Sequence, residues 1–123
     1  MKKVLNNKDL GAYGEKTAKK YLKKKGLKFI AQNFKYHNKE VDLIFTDKKN
    51  KILIFAEVKT RHRSQYFSPE DSINFRKISN YRYCVQGFLK NNPDYNDYDI
   101  RIDSVGITIG DSELNINHTE NLQ

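Results

Sequence analysis

The sequence predicts an α/β protein, a central mixed β-sheet flanked by helices in the element order αβββαβ. Three observations predict it. Two stretches, 9–25 and 68–90, repeat apolar residues at helical spacing; three short runs rich in β-branched and aromatic residues lie between them; and a further such run follows the second helix.

The first helix is expected from Asp9 to Lys25. Leu10, Tyr13, Thr17, Ala18, Tyr21 and Leu22 form its i, i+3, i+4 stripe, and Gly26 stands where a left-handed residue closes a helix. Gly11 and Gly14 fall in the first turns, where each glycine costs roughly 1 kcal/mol relative to alanine, so they point to close approach of another backbone or of a bound group. Glu15 sits at the edge of the apolar stripe, a carboxylate turned toward the interior or a cleft rather than toward the lysines.

Leu27–Phe34, Glu40–Phe45 and Lys51–Lys59 are the expected strands. The links 37–39 and 47–50 are short and polar, as antiparallel hairpins require. Ser68, Pro69, Glu70 and Asp71 supply an N-cap, a first-turn proline and acids for a second helix. That helix runs to about Lys90 with a stripe of Ile78, Tyr81, Val85, Phe88 and Leu89. Tyr66 and Phe67, just before it, read as a hydrophobic staple or as rings for an unpaired base. Residues 91–94 end the helix, and a strand from Ile100 to Ile109 follows, with a short partner at Leu114 to Asn117. The 123 residues make one domain, 1–123, with its core at about 8–110 and residues 118–123 expected to fray.

The net charge is +8, but residues 1–63 hold eighteen Lys and Arg against six Asp and Glu, while residues 64–123 hold five against nine. A polyanion suits such asymmetry, through release of counterions from neutralised phosphates; a solvated helix face is the other account of Lys19, Lys20, Lys23, Lys24 and Lys25. No stretch reaches the ~20 apolar residues of a membrane span and no signal peptide is visible, which points to a cytoplasmic protein without membrane attachment. The single cysteine, Cys84, excludes an internal disulfide and reads as a packed hydrophobe, and the histidines at 37, 62 and 118 lack zinc-site spacing.

Acids interrupt apolar runs in two successive strands: Asp42 in VDLIF, and Glu57, followed by Lys59, in IFAEVK. Alternation puts Glu57 and Lys59 on one face and Ala56 and Val58 on the other. If the hairpin pairs the strands, Asp42 and Glu57 converge, and two carboxylates together repel unless a cation joins them. Mg²⁺ (or Mn²⁺) is the usual hard partner, with Lys59 bearing on the attacking water or the phosphate. An ion-pair network on a solvated sheet face is the plainer alternative.

The succession Gly11-Ala12-Tyr13-Gly14-Glu15, Glu40 to Ile44 and Glu57 to Arg61 resembles the bacterial YraN family, also called UPF0102, over about Leu10 to Ile109. That family is similar to archaeal Holliday-junction resolvases and to the restriction-endonuclease-like, PD-(D/E)xK, nuclease fold. The resemblance implies a metal-dependent nuclease-like protein that binds, and hydrolyses, the phosphodiester bonds of nucleic acid, with DNA, branched DNA included, as its partner. It further implies metal ligation by Glu15, Asp42 and Glu57, catalytic work by these and Lys59, and phosphate contacts from Arg61 and Lys77, with Arg63 and Lys39 counted beside them. Lys39 stands where the family usually has glycine, so the turn is expected to form with Asn38 left-handed. A resolvase would also require a homodimer. A noncatalytic nucleic-acid-binding or protein-interaction module that keeps the fold is the alternative function.

Overall fold

In the computed structural model residues 6–63 and 75–122 are described. Helix α1 (Asn7–Lys24) starts at Asn6, whose side chain accepts the Asp9 N–H at 2.8 Å, and ends before Gly26, at φ +91°. Strands β1 (Lys28–Tyr36), β2 (Lys39–Asp47) and β3 (Ile52–His62) follow as two hairpins, then α2 (Phe75–Asn91), a 3-10 turn at Pro93–Tyr95, β4 (Asp99–Ile109) and β5 (Leu114–Thr119). The sheet order is β1-β2-β3-β4-β5. Every neighbour is antiparallel except β3 and β4, which are parallel because α2 crosses between them. The sheet is therefore mixed, as expected, with α1 on one face and α2 on the other.

Alternation along β3 builds both cores. Leu53 and Phe55 join Val41, Ile44 and Ile102 beneath Tyr81, Cys84, Val85 and Phe88 of α2. Ile54 and Ala56 join Leu43, Phe45, Val105 and Ile107 beneath Ala18 and Leu22 of α1. A strand covered on both faces is apolar without a break, which is why 52–56 reads as a continuous run.

The structure departs from the sequence expectations at several points. Tyr13 is 44% exposed. Gly14 takes the inward position instead: a Cβ there would lie 1.6 Å from Thr60 Oγ1, so β3 touches the helix through a side chain, while Gly11 faces open space. The left-handed residue of the β1–β2 turn is His37, at φ +55°, and not Asn38; its ring stacks on Tyr36 and hydrogen-bonds the hydroxyl of Tyr83, and the second, tertiary contact overrides the local preference for asparagine. The short partner strand expected at Leu114 to Asn117 is present as β5 and runs on to Thr119. Residues 118–122 are tied down rather than frayed, because buried Asp103 accepts from His118 Nε2 at 2.8 Å and from the Asn121 N–H at 3.1 Å, and the Leu122 N–H donates to Ile102 O. Ser68–Asp71, the expected start of the second helix, and the pair Tyr66 and Phe67 lie outside the described residues. No helix among the described residues is long and apolar enough to cross a membrane.

Candidate functional site

Strands β2 and β3 pair from Asp47↔Ile52 to Leu43↔Ala56 and then part, although β3 stays paired with β4 as far as His62↔Ile109. Continued register would set Asp42 directly opposite Glu57. The split strips backbone groups of their ladder partners, and buried groups of that kind must be satisfied elsewhere. Tyr81 of α2 bridges the gap: its hydroxyl accepts the Asp42 N–H and donates to Ala56 O, each at 3.4 Å. On the far side of the split the Val58 N–H donates to Asp42 Oδ2 at 2.8 Å. Asp42 is thus positioned by the backbone it left behind.

Two further acids face the same opening. Glu57, half-buried, forms an ion pair with Lys77 Nζ at 2.9 Å. Glu15, half-buried on α1, accepts from Gln32 Nε2 at 3.4 Å. Asn33, left-handed at φ +53°, lies beside Glu15 and Glu40; with its amide nitrogen turned toward them it donates at 3.1 and 3.2 Å. Burial pushes the Asp42 carboxyl up to about 6; the Val58 N–H opposes the shift, and the charges of Glu15, Glu57 and Glu40 add to it. Burial, then the charges of Asp42 and Glu57, push the Tyr81 hydroxyl upward as well, so it stays a protonated donor. Burial raises the Cys84 thiol, consistent with a packed hydrophobe rather than a nucleophile.

Of the residues singled out from sequence, Glu15, Asp42, Glu57 and Lys77 come together. Lys59 is half-buried, two residues beyond Glu57 on the same face of β3. Lys39 opens β2, paired with Tyr36 and close enough to Cys84 to act on its charge. Arg61 donates from Nε to Thr108 Oγ1 at 3.3 Å, and Arg63 pairs with Glu113 at 3.0 Å, so both lean toward the β4–β5 side of the sheet. The donors at the opening are carboxylate oxygens, the chemistry a hard divalent cation takes. They form an open set: among the described residues no three His, Cys, Asp or Glu side chains are grouped closely enough to hold an ion. Gln32, Tyr81 and Asn33 contribute without having been singled out from sequence. Tyr81 reads as one member of an apolar stripe, and its only signal is a hydroxyl where phenylalanine would pack as well; Asn33 gives its signal only through backbone conformation.

Residues 14–107 match the model of the uncharacterised protein family UPF0102. A UPF0102 protein of Syntrophomonas wolfei subsp. wolfei is 37% identical over 115 residues, which is 94% of this chain and 97% of the relative. One of Clostridium beijerinckii is 36% identical over 96% of this chain and 94% of its own length. Another, of Chloroherpeton thalassium, is 36% identical over 85% and 79%.

Proposed function

The chain belongs to the UPF0102 family, and on that premise we propose that it is a metal-dependent nuclease-like protein of the restriction-endonuclease-like, PD-(D/E)xK, kind, which binds nucleic acid and hydrolyses its phosphodiester bonds, DNA foremost. The observation that supports this reading is the strand split, where Asp42 is held by the Val58 N–H with its carboxyl raised by burial and, to a smaller extent, by the charges of Glu15 and Glu57. A purely structural carboxylate gathers cations and donors; this one gathers other acids.

Glu15, Asp42 and Glu57 are the residues that would hold Mg²⁺ or Mn²⁺. When bound, such an ion supplies Lewis acidity and a water of lowered pKa. The chain's own residues do the rest. The Val58 N–H and the Tyr81 hydroxyl fix Asp42 in place, and Glu15 and Glu57 would have to close on it to complete the site. Lys59 brings positive charge to the phosphoryl oxygens as their negative charge develops. Lys77 is drawn between Glu57 and the phosphate, Lys39, Arg61 and Arg63 contact the backbone, and the exposed lysines of α1 add sequence-independent attraction.

A specific observation favours a second reading, a noncatalytic nucleic-acid-binding or protein-interaction module: Lys77 Nζ pairs with Glu57 at 2.9 Å, so a side chain of the protein itself balances that carboxylate. Incubation of the protein with labelled single-stranded, duplex and four-way-junction DNA and with RNA, in Mg²⁺, Mn²⁺ or EDTA, separates the two. The nuclease reading expects metal-dependent cleavage that is lost in Glu57→Ala while binding in EDTA persists. Binding to nucleic acid without cleavage of any substrate would transfer the assignment to the module. Cleavage of the junction in particular requires paired sites, and sedimentation should then find a homodimer.

A further inference from the structure

At the tip of the β1–β2 hairpin the rings of Tyr36 and His37 lie stacked, their centroids 4.3 Å apart at 23°. Tyr83 of α2 leans on both, 5.0 Å from Tyr36 and 5.6 Å from His37, and its hydroxyl hydrogen-bonds His37 Nδ1. Packing accounts for Tyr36, which lies against Gly87 so closely that a Cβ there would fall 2.3 Å from the ring. Ring contacts also hold His37 and Tyr83 in place, yet leave both open to solvent. Tyr83 is 37% exposed and His37 is exposed. A tip made only to turn the chain places asparagine or glycine in its left-handed position; here the next residue, Asn38, is available, and His37 takes that conformation instead.

A cation adjoins the rings: Lys39 begins β2 directly across from Tyr36, while the exposed Lys35, one residue before Tyr36, lies on the opposite face of β1. The nearby acid Glu40 is turned away, toward Asn33 and Glu15. From Lys39 to Asp42 is three strand residues, about 10 Å, and from Tyr83 back to Lys77 is six helical residues, about 9 Å. Both paths end at the strand split. That distance is about three stacked nucleotides at roughly 3.4 Å each.

We propose that Tyr36, His37 and Tyr83 form a stacking platform for one unpaired base of a single strand whose backbone continues to the Asp42–Glu57 opening. The proposal rests on the nucleic-acid reading above and names its substrate class: single-stranded or splayed nucleic acid in preference to blunt duplex. An aromatic face accepts any base, so the platform selects for unpairedness and not for sequence. The hydrogen bond between His37 and Tyr83 and the contact with Gly87 fix the rings before a base arrives, which lowers the ordering cost of binding.

The test is fluorescence anisotropy in EDTA with the full chain, single-stranded DNA and RNA oligonucleotides, and a blunt duplex. Tyr83→Leu should weaken single-strand binding about 5- to 150-fold and leave duplex binding unchanged, while Tyr83→Phe, which keeps the ring and loses only its hydrogen bond to His37, should lose less than Tyr83→Leu. His37→Asn, which suits the left-handed turn, provides a second variant should Tyr83→Leu fold poorly by circular dichroism. An abasic residue walked along the strand should cost the parent affinity at one position and cost Tyr83→Leu nothing there. Equal weakening on strand and duplex, or the same abasic penalties in parent and variant on both DNA and RNA, would overturn the platform. The nuclease reading stands or falls separately: abasic coupling without cleavage in Mg²⁺ would sink that reading alone, and cleavage without coupling would sink the platform alone.

Discussion

Asp42 and Asp103 are two carboxylates withdrawn from water in one sheet, and their neighbours are opposites. Asp103 is fully buried and accepts from Arg101 Nε and Nη2 at 3.0 Å each, from His118 Nε2 at 2.8 Å and from the Asn121 N–H at 3.1 Å. His118 in turn meets the Tyr21 hydroxyl at 3.2 Å, which fastens the end of β5 to α1. Among the described residues Asp42 has a single N–H on its carboxylate, and the charges of Glu15, Glu57 and Glu40 lie around it. The same side chain serves as a fastener where cations and donors converge on it, and as an unmet demand for a cation where acids do. That difference separates stabilising polar burial from burial kept for chemistry.

The largest expected effect breaks the satisfied side. Asp103→Ala leaves Arg101 and His118 without their buried partner, and urea unfolding should show a loss of about 3–5 kcal/mol. A loss below about 1 kcal/mol would mean the network is held by other contacts. On the unsatisfied side the sign reverses. The folded-state pKa of Asp42, about 6, lies above its ordinary 3.8, so the folded protein binds the extra proton between those values. The penalty is absent below about pH 4, grows as pH rises and is complete above about pH 7. Asp42→Asn should therefore stabilise the protein in EDTA at pH 8 by about 1–3 kcal/mol, with little gain at pH 4 and with cleavage abolished. Equal unfolding midpoints at pH 8 would contradict the account of its burial beside other acids.

Tyr81→Phe sharpens the comparison at the bridge. It leaves the Asp42 N–H and Ala56 O without their shared hydroxyl and should cost about 1–2 kcal/mol, with faster amide exchange at Asp42 as the local reporter. Lys77→Ala is expected to have the smallest effect, no more than about 1 kcal/mol for a partly solvated pair, and the loss should be recovered on adding Mg²⁺.

Much of this was legible in the sequence, for local reasons. Both helices and the paired strands follow from periodicities that the sheet and its two covering helices enforce, and Asp42 and Glu57 stand out because an acid inside an apolar run has no packing use. What stayed hidden depends on contacts distant along the chain. The hold of Asp103 on His118 and Asn121 joins residues whose own segments look like an ordinary strand and a polar tail. The Tyr81 hydroxyl is invisible within an apolar stripe until the strands are seen to part. Gly14 displaces Tyr13 from the helix interface because Thr60 needs the space of a missing Cβ, which helical spacing alone does not reveal. His37 takes the left-handed turn because of two aromatic partners, one of them 46 residues away.

Calorimetric titration of Mg²⁺ and of Mn²⁺ into the protein, beside Asp42→Asn, tests most directly whether the gathered acids await a cation. The account predicts saturable binding of one or both ions to the parent, absent in the variant although the variant is folded and more stable. No binding to the parent, or equal binding to both proteins, would contradict it.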